Sequence, residues 1–143
     1  MLKTFFAGCL LFTVTVTAQA QDFHPRVNEA APTEFGEFFE KEITSAAFEK
    51  KGLAPVKIKV AIRVKKKIAL GCQYEYRLIN ASEQGVKVEM SSAADFKYSG
   101  KLKPGEEAIF FVNTMSRCSK EKTDAACVGC EPSLRINEVY PLK

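Results

Sequence analysis

The chain has 143 residues, 27% of them charged, and a formal net charge of +4, a length that suits one domain and crowds two. It contains no tryptophan and a single histidine, His24. Neither a histidine-ligated metal nor a Ser-His-Asp arrangement therefore has its parts.

Residues 1–20 read as an export signal. Met1-Leu2-Lys3 supplies a short positive start, residues 5–16 are apolar or threonine with few exceptions, and Ala18-Gln19-Ala20 fits the small-x-small cleavage rule. The apolar run is shorter than the about 20 residues a bilayer crossing takes, and no later segment is more apolar, so no transmembrane segment is expected. Phe6-Ala7-Gly8-Cys9 resembles a lipobox, but the apolar run continues past Cys9, which favours soluble export to the periplasm or the extracellular space. Cleavage removes Lys3 and Cys9, so the charge falls by one and five cysteines become four. Those four then meet an oxidising compartment.

Residues 21–33 hold Pro25 and Pro32 without periodicity and are expected to be a flexible arm. An amphipathic helix is expected over 34–51, its cap reaching residue 53. Thr33 is a suitable N-cap, Glu34 and Glu37 suit the positive end of the helix dipole, and Phe35, Phe38, Phe39, Ile43, Ala46 and Ala47 share one stripe. Gly52 can end the helix in the left-handed conformation with Leu53 folded back on Phe48. Pro55 prevents continuation.

From residue 54 the period changes to two, and a β-sandwich domain is expected over 54–143. Val56, Ile58, Val60, Ile62 and Val64 alternate with polar or small residues, as do Cys72, Tyr74, Tyr76 and Leu78. A break is expected at Lys65-Lys66-Lys67, because an unbroken alternation would point Lys66 inward. Loops follow at 80–85 and 91–95, strands at 86–90 and from Phe96, and a type II turn at Pro104-Gly105. Residues 108–113 (AIFFVN) are apolar on both faces and read as a central strand. A long polar loop over 114–133 carries three cysteines, and residues 134–140 form the last strand.

Seven or so short strands separated by turn signals suggest an antiparallel sandwich. The run Tyr76-Arg77-Leu78-Ile79-Asn80-Ala81-Ser82, then Val86-Lys87-Val88, then Gly100 to Glu106 (GKLKPGE) resembles the immunoglobulin-like accessory domains of bacterial exported proteins. The resemblance covers about residues 56–115. It implies an immunoglobulin-like antiparallel β-sandwich preceded by one helix, lacks the core tryptophan of antibody domains, and implies no activity.

Four cysteines allow three pairings, and the expected one is Cys72–Cys130 with Cys118–Cys127, which ties an early strand to the last. Two sharper readings compete: a Cys127-Val128-Gly129-Cys130 redox pair, which lacks the following helix that lowers a thiol pKa, and a four-thiolate zinc site, which has only one closely spaced pair. No metal and no cofactor is expected. Lys57, Lys59, Arg63, Lys65, Lys66 and Lys67 form a basic stripe that suits an anionic glycan, a lipid head group or an acidic protein partner. Its bland alternatives are edge-strand protection and neutralisation by the glutamates of 34–51. Nucleic acid is not an expected ligand, given the small net charge. Asn80-Ala81-Ser82 matches a glycosylation sequon and is read as a turn. The expectation overall is a non-catalytic exported binding module. Its surfaces would be strand edges, the basic stripe, or the long loop with Arg117, Lys120, Glu121 and Lys122. The competing classes are a thiol-disulfide enzyme and an envelope-assembly component docking through 34–51.

Overall fold

The computed structural model describes residues 21–92, 96–114 and 121–143; the export signal lies outside the described residues. Alternating apolar residues produce eight strands among them: β1 (Gln21–Phe23), β2 (Phe39–Ile43), β3 (Val56–Ile68), β4 (Gly71–Asn80), β5 (Val86–Ser92), β6 (Lys97–Leu102), β7 (Glu107–Thr114) and β8 (Leu134–Pro141). A short helix, α1 (Ala46–Lys50), and a 3-10 turn at Asp124–Cys127 complete the elements. The strands form two antiparallel four-stranded sheets, ordered β1-β8-β5-β6 and β2-β3-β4-β7.

Inward residues of both sheets make one core, including Val60, Ile62, Tyr74 and Tyr76 from one and Val86, Val88, Leu102 and Ile136 from the other. Burial of these faces is the main favourable contribution to folding. Phe110 on β7 links the sheets: it stacks on Tyr76 at 5.3 Å and on Phe96 and Tyr98 at 5.0 and 5.2 Å between ring centroids. Offset ring stacks of this kind add to the area term.

Four expectations need correction. First, residues 34–51 are not one helix. Phe39–Ile43 is a strand paired with Val56–Val60, and only Ala46–Lys50 is helical. Pairing with β3 overrides the helical spacing because it buries Ile43 and sets Glu40 and Glu42 opposite Lys59 and Lys57. The expected cap does form: Gly52 has φ +63°, and the Leu53 N–H donates to the Phe48 carbonyl at 3.0 Å.

Second, residues 21–33 are not a loose arm. Residues 21–23 pair with β8, Phe23 and Val27 are buried, and the Val27 N–H donates to Glu131 Oε1 at 3.0 Å. Phe23 meets Phe39 edge-on at 5.6 Å. Third, β3 runs through Lys65-Lys66-Lys67 without ending. The register shifts after Val64, which pairs with Tyr74, so that Lys66 pairs with Gln73. The extra residue, Lys65, is a bulge, and it turns Lys66 outward where unbroken alternation would bury it. Fourth, β7 is an edge strand, not a central one.

Of the turns, Pro104-Gly105 behaves as expected. Gly105 has φ +76°, a conformation that favours glycine, and the Glu106 N–H donates to the Lys103 carbonyl at 3.0 Å. Asn80 is fully buried. Its amide donates to the Gln84 and Leu102 carbonyls and accepts from the Ser82 N–H, so the sequon is a structural turn with its amide nitrogen engaged.

Replacing Phe23 with alanine is expected to lower stability by about 3–5 kcal/mol in urea unfolding, whereas a loose arm would leave the midpoint unchanged.

Candidate functional site

Cys72 near the start of β4 is joined to Cys127 at the end of the 3-10 turn, with Cα atoms 5.9 Å apart. This corrects the expected Cys72–Cys130 and Cys118–Cys127 pairing. The chain folds the 3-10 turn against the β3–β4 hairpin, where the Lys67 N–H donates to Asp124 Oδ1 at 3.1 Å, and so brings Cys127 to Cys72. Cys130 is also disulfide-bonded; Cys118, with Arg117 and Lys120, lies outside the described residues. Both sulfurs of the redox reading are thus engaged, Cys127 with Cys72 rather than Cys130, and the zinc reading loses three of its four thiolates, Cys72, Cys127 and Cys130.

Two tyrosines on the inner face of β4 extend the same attachment. Tyr74 Oη donates to the Cys127 carbonyl at 2.6 Å, and Tyr76 Oη donates to the Pro132 carbonyl at 2.9 Å. Burial pushes both phenols well above the usual tyrosine range, and the carboxylate of Glu131 adds to the shift.

The outer face of the sheet β2-β3-β4-β7 carries the basic stripe, and here acids meet its Lys57, Lys59 and Arg63. Lys57 pairs with Glu42 and Lys59 with Glu40, each at 3.7 Å. Arg63 pairs with Glu75, which is buried, and Arg77 pairs with Glu107 at 2.6 Å. Neutralisation by the acidic 34–51 segment therefore occurs, through β2 in place of a helix. Edge protection does not apply, because β3 lies between β2 and β4. Lys65 and Lys66 are exposed beside the hairpin tip, where Leu70 is 71% exposed, and Lys67 faces Cys72 across the pair. The six basic residues thus divide into an acid-matched group and a tip group and do not form one continuous anion site.

A strap over 32–38 runs along the β3 edge beyond β2 and lays its aromatic rings over this face. The Val64 N–H donates to the Pro32 carbonyl at 2.8 Å and the Gly36 N–H to the Ile62 carbonyl at 3.2 Å. A Cβ on Gly36 would lie 2.9 Å from the Arg26 carbonyl oxygen, so the close passage requires glycine. The Phe35 ring lies 4.7 Å from the Arg63 guanidinium and 5.9 Å from that of Arg77, and Phe38 lies 5.7 Å from Arg77. Arginines held between a carboxylate and an aromatic face are fixed in position. Between residues 24–28 and 36–39 an open cavity of about 550 Å³ is lined by His24, Arg26, Asn28, Glu37 and Phe38, among others.

At the opposite edge of the sheet, β7 presents Ile109 and Phe111 outward, 53% and 46% exposed. The four sheet edges differ in how they meet solvent. Strand β1 has three residues. Strand β2 carries Glu40 and Glu42 outward and turns Lys41 inward, where its ammonium donates to the Asp22 carbonyl at 3.0 Å and lies over the Phe23 ring. Strand β6 carries Lys97 and Lys101. Short length, charge and inward lysines are the devices that block strand addition. Strand β7 has eight residues, no lysine and no proline. Its signal was present in AIFFVN, where apolar residues on both faces describe either a covered strand or an exposed apolar edge.

No protein-family model, curated protein or solved structure matches the chain. No helix among the described residues is long and apolar enough to cross a membrane.

Non-reducing peptide mapping is expected to return Cys72 linked to Cys127 and Cys118 linked to Cys130. Substituting Cys72 and Cys127 together, 55 residues apart, should lower stability by about 4 kcal/mol on the chain-entropy model. Unfolded tyrosines ionise near about pH 10 while Tyr74 and Tyr76 keep their protons in the folded state. The unfolded chain then binds fewer protons, so stability falls as pH rises above about 10. Urea midpoints across that range should show the fall, and Tyr76→Phe should flatten it.

Proposed function

We propose that the chain is an exported, non-catalytic interaction module of immunoglobulin-like connectivity that binds an extended protein strand along the edge of β7. Lettering β3, β4, β5, β6, β7 and β8 as A, B, C, C′, E and F turns the two sheet orders into A-B-E and C′-C-F. That order supports an immunoglobulin-like reading, in which β1, beside β8, would take the place of strand G. The disulfide Cys72–Cys127 supports an oxidising compartment, periplasmic or extracellular.

The observation that carries the reading is the contrast among edges: among the described residues β7 alone combines eight residues of length, two exposed apolar side chains, and neither lysine nor proline. An exposed edge supplies main-chain hydrogen bonds to an added strand, and alternate side chains supply selectivity. A protein strand is favoured over an anionic glycan because Lys57, Lys59 and Arg63 already have acidic partners.

A displayed library of random peptides long enough to span β7 tests this reading. Peptides enriched on the protein are expected to shield the amides of Ile109 and Phe111 from hydrogen exchange and to bind Phe111→Lys at least about tenfold more weakly. Enriched peptides that bind the variant equally well, or that shield another edge, would count against it.

A further inference from the structure

We infer that the strand received by the β7 edge is β7 of a second copy of this chain, joining two four-stranded sheets into one continuous eight-stranded sheet. The inference rests on the reading of β7 as a strand-binding edge and names its occupant.

The backbone phase comes first. The Asn80 N–H donates to the Glu106 carbonyl and the Gly105 N–H to the Asn80 carbonyl, and the β4–β7 register continues without a shift to Thr114. Alternation in an antiparallel pair therefore turns the N–H and C=O groups of residues 108, 110 and 112 toward β4. Those of Glu107, Ile109, Phe111 and Asn113 turn toward the outer edge. The same four residues carry their side chains on the outer face.

A two-fold axis through Phe110 places these four groups against their equivalents. Ile109 then faces Phe111 of the second copy, Phe111 faces its Ile109, and Glu107 faces its Asn113. Every outward apolar residue of β7 gains an apolar partner, and no like charges stand opposite one another. Shifting the axis to Ile109 would set Phe111 against Glu107, and shifting it to Phe111 would set Ile109 against Asn113. The central register is thus the one that matches side chains along the strand. A two-fold contact of this kind is self-complementary and closes on itself, leaving no β7 edge for further addition.

The lateral neighbours allow a charge test that spares the fold. Ile109 lies beside Arg77, and Phe111 lies beside Glu75. Ile109→Glu and Phe111→Lys therefore each place a charge beside an opposite one within the same sheet. In the paired register, each single variant sets its charge opposite an apolar residue twice. The double variant Ile109→Glu/Phe111→Lys instead sets Glu against Lys twice. The experiment is sedimentation equilibrium on the purified protein with its disulfides intact, alongside hydrogen exchange and circular dichroism of each variant.

The expected result is a wild-type dimer, a dissociation constant raised at least about tenfold by either single substitution, and recovery in the double variant. A wild-type protein that stays monomeric up to its solubility limit would overturn the second-copy proposal. Peptide shielding of Ile109 and Phe111 would in that case still support the strand-binding reading, so the two failures are distinguishable. A dimer that both single variants leave intact, with circular dichroism unchanged, would also overturn it, since the contact would lie elsewhere.

Discussion

The long segment that joins β7 to β8 is held from inside by β4. Within three alternate residues, β4 supplies a disulfide from Cys72, a hydrogen bond from Tyr74 to the Cys127 carbonyl, and another from Tyr76 to the Pro132 carbonyl. All three side chains are buried. A loop of this length would ordinarily carry a large ordering cost with little packing to offset it. Anchored at three points to one strand, its part around Cys127 joins the core, with Val128 and Cys130 packed against it. It also delivers Glu131 to the Val27 N–H and thereby fixes the N-terminal segment. Strand β1 then lies against β8, closing the second sheet. Loss of the β4 anchors would loosen both the loop and the segment that depends on it.

The outer face of the other sheet shows how a lysine-rich strand can sit between neighbours. Cross-strand pairing places Glu42 and Glu40 opposite Lys57 and Lys59, but these pairs are exposed, and such pairs add little to stability. Their effect is on specificity, since a slip of one residue would set like charges together and expose the core residues of β2 and β3. Toward the centre, Glu75 is buried beside Arg63, and Phe35 lies over both Arg63 and Arg77. The strap residues Phe35 and Phe38 thus serve the outer face while Phe39 and Ile43 serve the inner one. One sequence stretch covers two sides of a sheet.

This division explains why the stretch reads as a helix when taken alone. Phe35, Phe38, Phe39 and Ile43 have helical spacing, and nothing local reveals that the first two face away from the last two. The β3 bulge is hidden for a similar reason. Lys65-Lys66-Lys67 signals trouble for a strand, and either a break or one extra residue removes the inward lysine. The disulfide partner of Cys72 and the edge position of β7 depend on elements far apart in the chain. Of the candidate binding surface, the apolar character of Ile109 and Phe111 was visible in AIFFVN, but their exposure was not.

The amino-acid sequence by itself determined the apolar alternation of the strands from Val56 onward, though not the unbroken run of β3 through Lys65-Lys66-Lys67, and it determined the Asn80 and Pro104-Gly105 turns and the Gly52 cap. Each depends on a period of two or on backbone preferences that act over a few residues. Only the tertiary structure decided that 39–43 is a strand, that Cys127 and not Cys130 joins Cys72, that acids match Lys57, Lys59 and Arg63, and that β7 stands at an edge. Each of these is settled by which distant residues become neighbours, and pairing with them outweighs what the local sequence prefers.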